Sequence, residues 1–154
     1  MKKIAAACVA AIIMIGMPKL LMAQKPVLNH IAVYVKDLKV STAFYSHVID
    51  LDTIPEPFHD GKHTWYRVAE NSHLHLIQGA NNVTSHDKNS HLCFSVPSIE
   101  EIIARLNENK IPYESWVGEK MSVTTRVDGI KQLYFTDPDG YWIEINNDYP
   151  KNLK

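Results

Sequence analysis

The chain has 154 residues, 45% of them hydrophobic, with 16 basic and 17 acidic side chains and a formal net charge of −1. That is enough sequence for one domain with a single core, and without a basic excess it lacks the electrostatic footprint of a nucleic-acid binder. Two cysteines cannot supply a disulfide framework, so stability must come from packing, with a bound ion or a partner copy as further sources.

The first segment reads as a secretory signal. Met1-Lys2-Lys3 is followed by an uncharged stretch from Ile4 to Met17 and then by Leu21-Met22-Ala23-Gln24, the order of basic start, apolar run and small residue at a cut site. Pro18-Lys19 breaks the apolar run before it reaches the about 18 to 20 residues that a bilayer requires. Cleavage is expected after Ala23, so residues 1–23 are a leader and residues 24–154 a secreted or periplasmic chain with no membrane span. An uncleaved anchor and a lipoprotein modified at Cys8 are the weaker alternatives. Loss of Lys2, Lys3 and Lys19 reduces the 16 basic residues to 13 against the same 17 acids, a net charge of −4. Cys93 is then left without an intrachain partner.

From about residue 27 the chain repeats one unit. Asn29-His30-Ile31-Ala32-Val33-Tyr34-Val35 reads as a strand, and Val40, Ala43, Phe44 and Val48 recur behind it at helical spacing. Strand candidates follow at 51–58, 63–69 and 72–78. A polar, aperiodic linker covers 80–89. Ser90-His91-Leu92-Cys93-Phe94-Ser95-Val96 then opens a second strand, Ser98-Ile99-Glu100-Glu101 a capping box, and Ile99, Ile102, Ile103 and Leu106 a second helix face. Further strands are expected at 113–118, 130–136 and 141–147, with turns at Asp60-Gly61, Asp128-Gly129 and Asp137-Pro138-Asp139-Gly140. The fold class is α+β, built as βαβββ twice, with module one over about 27–79 and module two over about 90–147.

Strand alternation then sorts the chemistry. On the first strand His30, Ala32 and Tyr34 oppose Ile31, Val33 and Val35; on the fourth His73, His75 and Ile77 oppose Leu74 and Leu76. On the fifth His91, Cys93 and Ser95 oppose Leu92, Phe94 and Val96, and on the eighth Trp142, Glu144 and Asn146 oppose Tyr141, Ile143 and Ile145. Four strands each send an apolar face one way and a metal-competent residue the other, and buried imidazoles or carboxylates are costly unless paired or bound to an ion. A lone strand histidine is more often an ordinary hydrogen-bonded residue; four such positions at matching places in a repeat shift the balance toward a site. His47, His59, His63 and His86 are expected at the surface. Tyr34, Trp65 and Trp142 suit either a cavity lining or the core.

This layout resembles the vicinal oxygen chelate superfamily, which includes glyoxalase I, bleomycin resistance proteins and extradiol dioxygenases. The likeness covers about residues 27 to 147. It rests on the His-apolar-x-apolar starts at His30 and His91 and on the ending Asp137-Pro138-Asp139-Gly140-Tyr141-Trp142-Ile143-Glu144-Ile145, which is similar to the last hairpin of glyoxalase I. The resemblance implies a cup-shaped mixed sheet with helices on its outer face, and one divalent ion held by His30, His75, His91 and Glu144. His75 stands where glyoxalase I usually has a glutamate, and His73 shares its face. Three imidazoles and one carboxylate favour zinc or nickel, with iron or manganese next, over magnesium or calcium.

The implied activity is that of a glyoxalase I-like lyase or isomerase. It would act on a small substrate that chelates through adjacent oxygens, with Glu144 as general base. An extradiol-type ring-cleaving dioxygenase and a non-catalytic binder of the bleomycin resistance type are the alternatives. Tyr34 and Gly79 stand where glyoxalase I carries an arginine and an asparagine for glutathione, which argues against a glutathione adduct as substrate. Short two-module chains of this kind commonly form homodimers, in which the ligands can come from one subunit or two.

Overall fold

The structure, a computed structural model, describes residues 25–150; the expected leader lies outside the described residues. Module one runs β1 (His30–Val35), α1 (Leu38–His47), β2 (Thr53–Ile54), β3 (His63–Ala69) and β4 (Ser72–Gln78). Module two runs β5 (His91–Ser95), α2 (Ile99–Glu108), β6 (Thr124–Thr125), β7 (Lys131–Thr136) and β8 (Trp142–Asn146). The α+β architecture of two βαβββ modules is therefore present. Each module forms its own four-stranded mixed sheet, in the orders β1-β4-β3-β2 and β5-β8-β7-β6. In both, the first strand lies parallel to the fourth and the remaining pairs are antiparallel. The eight strands do not join into one continuous sheet: β1 and β5 are both edges. No helix among the described residues is long and apolar enough to cross a membrane.

One core serves both modules. Val33 and Val35 of β1, Leu74 and Leu76 of β4, Leu133 and Phe135 of β7, and Ile143 and Ile145 of β8 are buried in a single cluster with Phe44, Tyr45, Ile99, Ile102 and Leu106 from the helices. Because side chains alternate along a strand, the faces bearing His30, His75, His91 and Glu144 are the opposite faces of these same strands and look away from that core.

Helix α1 buries Ser41, Phe44 and Tyr45, with Val48 buried at its C-cap, whereas Val40 and Ala43 are exposed, so the expected apolar stripe is turned by about one position. The physical reason is a pair of buried carboxylates from the other module. Ser41 Oγ donates to Asp139 Oδ2 at 2.5 Å and Tyr45 Oη donates to Asp137 Oδ2 at 2.8 Å. The Lys36 amide adds a 2.7 Å bond to Asp139 Oδ1. Two polar residues can thus take core positions because acceptors await them. The turn that carries these carboxylates is itself clamped: a Cβ on Gly140, at φ +88°, would lie 2.1 Å from the carbonyl oxygen of Thr84 in the linker. Helix α2 buries Ile99, Ile102 and Leu106 as its pattern indicates, and Ser98 Oγ accepts the Glu101 amide at 3.2 Å, although its hydroxyl turns to Glu100.

Two strands differ from expectation. The segment 51–58 pairs only over Thr53–Ile54, because Pro55 and Pro57 remove ladder donors and Glu56 instead accepts the amides of Phe58 and His59. The segment 113–118 contributes an isolated bridge at Glu114, to Tyr134 and Lys120, and the strand proper falls later at Thr124–Thr125. Here the chain turns back at once, with Gly118 N donating to Ser115 O.

The buried Tyr45 hydroxyl gives a test of the helix face. Tyr45→Phe leaves Asp137 short of a donor and should cost about 1–3 kcal/mol of unfolding free energy, whereas Val40→Ala, on the exposed side, should stay within about 0.5 kcal/mol. Urea melts of the two variants check this; a larger cost at Val40 would mean that the helix packs by its other face.

Candidate metal centre

Register places the donors. On the open face of the first sheet, cross-strand neighbours form rows: His30 beside His73 beside Arg67, then Ala32 beside His75 beside Trp65, then Tyr34 beside Ile77 beside His63. The His75 ring lies between two others, parallel to Trp65 at 3.9 Å and 2° and to His30 at 4.4 Å and 8°. His75 is 8% exposed and its Nε2 is buried with no hydrogen-bond partner. Burial first, and then the neighbouring His30, His73 and His63, push its pKa down to about 4, so the ring is neutral at pH 7 with a free lone pair. His30 Nδ1 lies 2.8 Å from Asn29 Oδ1, an acceptor, so Nδ1 carries the hydrogen and Nε2 is the open nitrogen.

The second module repeats this arrangement with a carboxylate. His91 Nδ1 donates to the Lys88 carbonyl at 2.7 Å, which fixes the hydrogen on that nitrogen and turns Nε2 toward Glu144 Oε2 at 3.2 Å. Glu144 is 7% exposed and accepts from Tyr134 Oη at 2.6 Å, from Asn146 Nδ2 at 2.9 Å and from the Cys93 thiol at 3.4 Å. Burial alone would raise its pKa, but these donors and His91 outweigh it and hold the carboxyl below its ordinary value, so it is anionic at neutral pH. Burial and the adjacent Glu144 charge push the Cys93 thiol up to about 12 and raise the Tyr134 phenol as well. Both therefore serve as donors, and neither is a thiolate or phenolate.

These donors fit a divalent transition metal on two counts. His75 offers a buried imidazole nitrogen that no described residue satisfies, which costs free energy unless a partner meets it. His91, with Nδ1–H committed to a carbonyl, turns Nε2 to within 3.2 Å of the Glu144 carboxylate, so that a nitrogen and an oxygen donor lie side by side where a proton or a metal cation between them satisfies both. Carbonyl-anchored imidazoles that present Nε2 are the usual outer-shell arrangement of metal-ligating histidines.

The four sequence-derived positions come together as two pairs, His30 with His75 and His91 with Glu144. The pairs do not merge: among the described residues no group of three or more such side chains is gathered within one chain. A cleft of about 190 Å³, lined by Ile31, Ala32, Ser90, His91 and Trp142, separates the edges of β1 and β5. His73 shares the face of His75 but its ring centroid is 6.1 Å away. His47 and His59 are exposed, whereas His63 and His86 are half-buried, His63 against Phe58 at 4.7 Å and His86 stacked on Tyr141 at 3.9 Å. The Tyr34 ring lies over Gly79, where an added Cβ would lie 2.5 Å from its hydroxyl oxygen, so a side chain at 79 would require this exposed ring to move aside. Trp142 donates Nε1–H to the His86 carbonyl at 2.9 Å and lies under Lys88. Sequence reasoning missed Tyr134, although β7 alternation sets Gln132 and Tyr134 opposite Leu133 and Phe135, and Tyr134 pairs directly with Glu144.

A neutral His75 makes the metal-free fold acid-sensitive. Its folded pKa is below the ordinary value of 6.5, so the unfolded chain binds more protons between about pH 6.5 and 4, and stability falls as pH drops through that window. In denaturant melts with a chelator present, His75→Gln should lose less stability than the parent between pH 7 and 4.5. Parallel curves for the two proteins would show that His75 is not the group responsible.

The wider likeness follows from comparison with known proteins. The model of the Glyoxalase/Bleomycin resistance protein/Dioxygenase superfamily matches residues 27–145. The chain is 25% identical over 152 residues to a lactoylglutathione lyase of Pseudomonas putida, covering 77% of this chain and 83% of that protein. It is 30% identical over 123 residues to the metallothiol transferase FosB of Staphylococcus epidermidis, covering 77% and 79% respectively. Among solved structures it is similar to Oxidase ChaP-H1, with a TM-score of 0.66, 26% identity, and coverage of 83% of this chain and 99% of that one. A family match over most of the described residues, joined to the repeated βαβββ topology, makes this chain a member of the Glyoxalase/Bleomycin resistance protein/Dioxygenase superfamily.

Proposed function

We propose that the protein is a divalent-metal-dependent lyase or isomerase of the glyoxalase I type, whose site is completed between two copies of the chain. His30 and His75 of one copy and His91 and Glu144 of another would hold the ion. The observation that carries this reading is the buried His75 Nε2, which has no partner among the described residues and stacks beside His30, with His91 and Glu144 set 3.2 Å apart at the matching places of the second module. β1 and β5 are edge strands of their sheets and line one cleft, so His30 and His91 start strands that are unpaired on that side among the described residues. The bound ion would supply Lewis-acid polarisation of two adjacent substrate oxygens.

The chain's own residues do the proton work. Glu144 is held ionised, so it can take a proton from the carbon next to a carbonyl and return it to the neighbouring atom. Tyr134 and Asn146 orient the carboxylate from its two oxygens. Tyr34 and Gly79 stand in place of the arginine and asparagine that glyoxalase I directs at glutathione, which supports a small substrate other than a glutathione adduct. A second reading, oxidation at a ferrous ion, is favoured by the imidazole-rich donor set and by the similarity to Oxidase ChaP-H1.

Mixing variants tests the shared site. His30→Ala and Glu144→Ala homodimers should each lose metal by elemental analysis. Remixed after mild dissociation, they should regain up to about a quarter of the sites, because half of the reassorted dimers carry one intact set. No recovery would place all four ligands in one chain or reject the centre altogether. For the chemistry, Glu144→Gln should slow metal-dependent deuterium incorporation into dihydroxyacetone by about 10²–10⁴-fold. Undiminished exchange would remove Glu144 as the base, and oxygen uptake with a catechol seen only with ferrous iron would select the oxidative reading.

A further inference from the structure

The row next to the candidate ligands carries a positive charge that is in no ion pair among the described residues. Arg67 on β3 is the direct cross-strand neighbour of His73, which is in turn the neighbour of His30. The side on which Arg67 projects follows from alternation: Tyr66 is fully buried in the core and Trp65 stacks on His75, so Arg67 lies with Trp65 on the open face. It is exposed and makes no ion pair within 4 Å among the described residues. Asp52, which the β2 register places opposite Arg67 and whose carbonyl accepts the Arg67 amide at 3.2 Å, forms no ion pair with its guanidinium within 4 Å. The open face of β1, β3 and β4 carries His30, Ala32 and Tyr34, then His73, His75 and Ile77, then His63, Trp65 and Arg67, and the carboxylate neighbouring Arg67 is that of Asp52, at the β2 edge and beyond ion-pair distance.

We infer that Arg67, assisted by the His73 imidazole, binds an anionic group of the substrate, so that the substrate is a small carboxylate or other oxyanion bearing adjacent chelating oxygens at its other end. This rests on the metal-dependent reading above and narrows it to a substrate class. Arg67 is the diagonal neighbour of His75, and such positions have Cα atoms about 7–8 Å apart on a sheet face. A substrate a few bonds long therefore spans from the donors to the guanidinium. The guanidinium's fork of N–H donors matches an oxyanion with two bonds at once, which a lysine would not reproduce. The same role explains how a site without glutathione anchors could still orient its substrate: the fixed charge lies on β3 and the chelating donors on β1 and β4, so one end of the molecule is read by charge and the other by chelation.

Two hydroxamates separate the inference from its foundation. Both chelate through two adjacent oxygens, but acetohydroxamate is small and carries no anionic tail, whereas the monohydroxamate of succinic acid ends in a carboxylate. By calorimetric titration of the zinc-loaded protein, the succinate compound should bind about tenfold or more tightly than acetohydroxamate, with the difference shrinking as salt is raised. In Arg67→Gln that preference should vanish while acetohydroxamate affinity and zinc content stay unchanged, and Arg67→Lys should restore only part of it. Equal preference in the parent and Arg67→Gln, with acetohydroxamate still bound, would overturn the role of Arg67 and leave the metal centre standing. Failure of acetohydroxamate to bind the zinc-loaded protein would reject the metal-dependent reading, and this inference with it.

Discussion

The strict two-residue period of the strands governs both the stability and the chemistry of this protein. Each donor-bearing strand gives one face to the common core and the other to the site, so Val33 and Val35 cannot be buried without turning His30 outward, and Ile143 and Ile145 cannot be buried without turning Glu144 outward. A register slip of one residue would place an imidazole or carboxylate in the core and expose a β-branched pair, losing packing and site together. The coupling extends to the module junction. Asp137 and Asp139 fix the turn that leads into β8, and they are held by Ser41 and Tyr45 of α1, so the strand that carries Glu144 is registered against the helix of the other module.

Repetition of the unit repeats the outer-shell solution. In module one an oxygen of Asn29, and in module two the carbonyl of Lys88, receives Nδ1–H of the histidine at the start of the first strand. Both acceptors precede their histidine in the chain, and both leave Nε2 as the open nitrogen. The modules differ at the fourth strand, where β4 supplies His75 and β8 supplies Glu144. An imidazole in place of a second carboxylate removes one negative charge from the donor set and moves it toward nitrogen, which favours the later first-row metals over magnesium or calcium. Trp65 stacks parallel to the His75 ring at 3.9 Å and covers one of its faces, adding to the burial that lowers the pKa of the imidazole.

Periodicity made the two modules, the helix α2 face and the donor positions legible, because each depends only on local spacing and on the apolar character of alternate residues. It failed where a distant partner overrides local character. The α1 stripe reads as Val40, Ala43, Phe44 and Val48 because Ser41 and Tyr45 look like surface residues until the carboxylates from about one hundred residues away are known. Segments 51–58 and 113–118 have strand-like composition but lose their ladders to prolines in the first and to a tight turn in the second. Tyr134 was missed for a related reason: an aromatic residue inside a run of buried β7 residues reads as core, and only the pairing of β7 with β8 sets its hydroxyl against Glu144. Nor does alternation say whether two donor faces meet. It assigns faces within a sheet, while the packing of one sheet relative to another is set by the shared core.

That last distinction bears on how the site would be assembled. With both apolar faces consumed by a common core, the donor pairs of one chain lie on outward faces, and each pair alone is a poor site: two imidazoles lack a charge to balance a divalent cation, and one imidazole with one carboxylate lacks the coordination number. Joining pairs from two copies supplies both, so under the shared-site reading ion binding and association become one equilibrium. By mass action each then strengthens the other: an ion that binds only the completed set stabilises the dimer in proportion to its affinity, and dilution of the protein weakens the metal. The unsatisfied Nε2 of His75 is a cost carried by the separate chain, and on that reading its relief when the ion binds would add to the free energy of association.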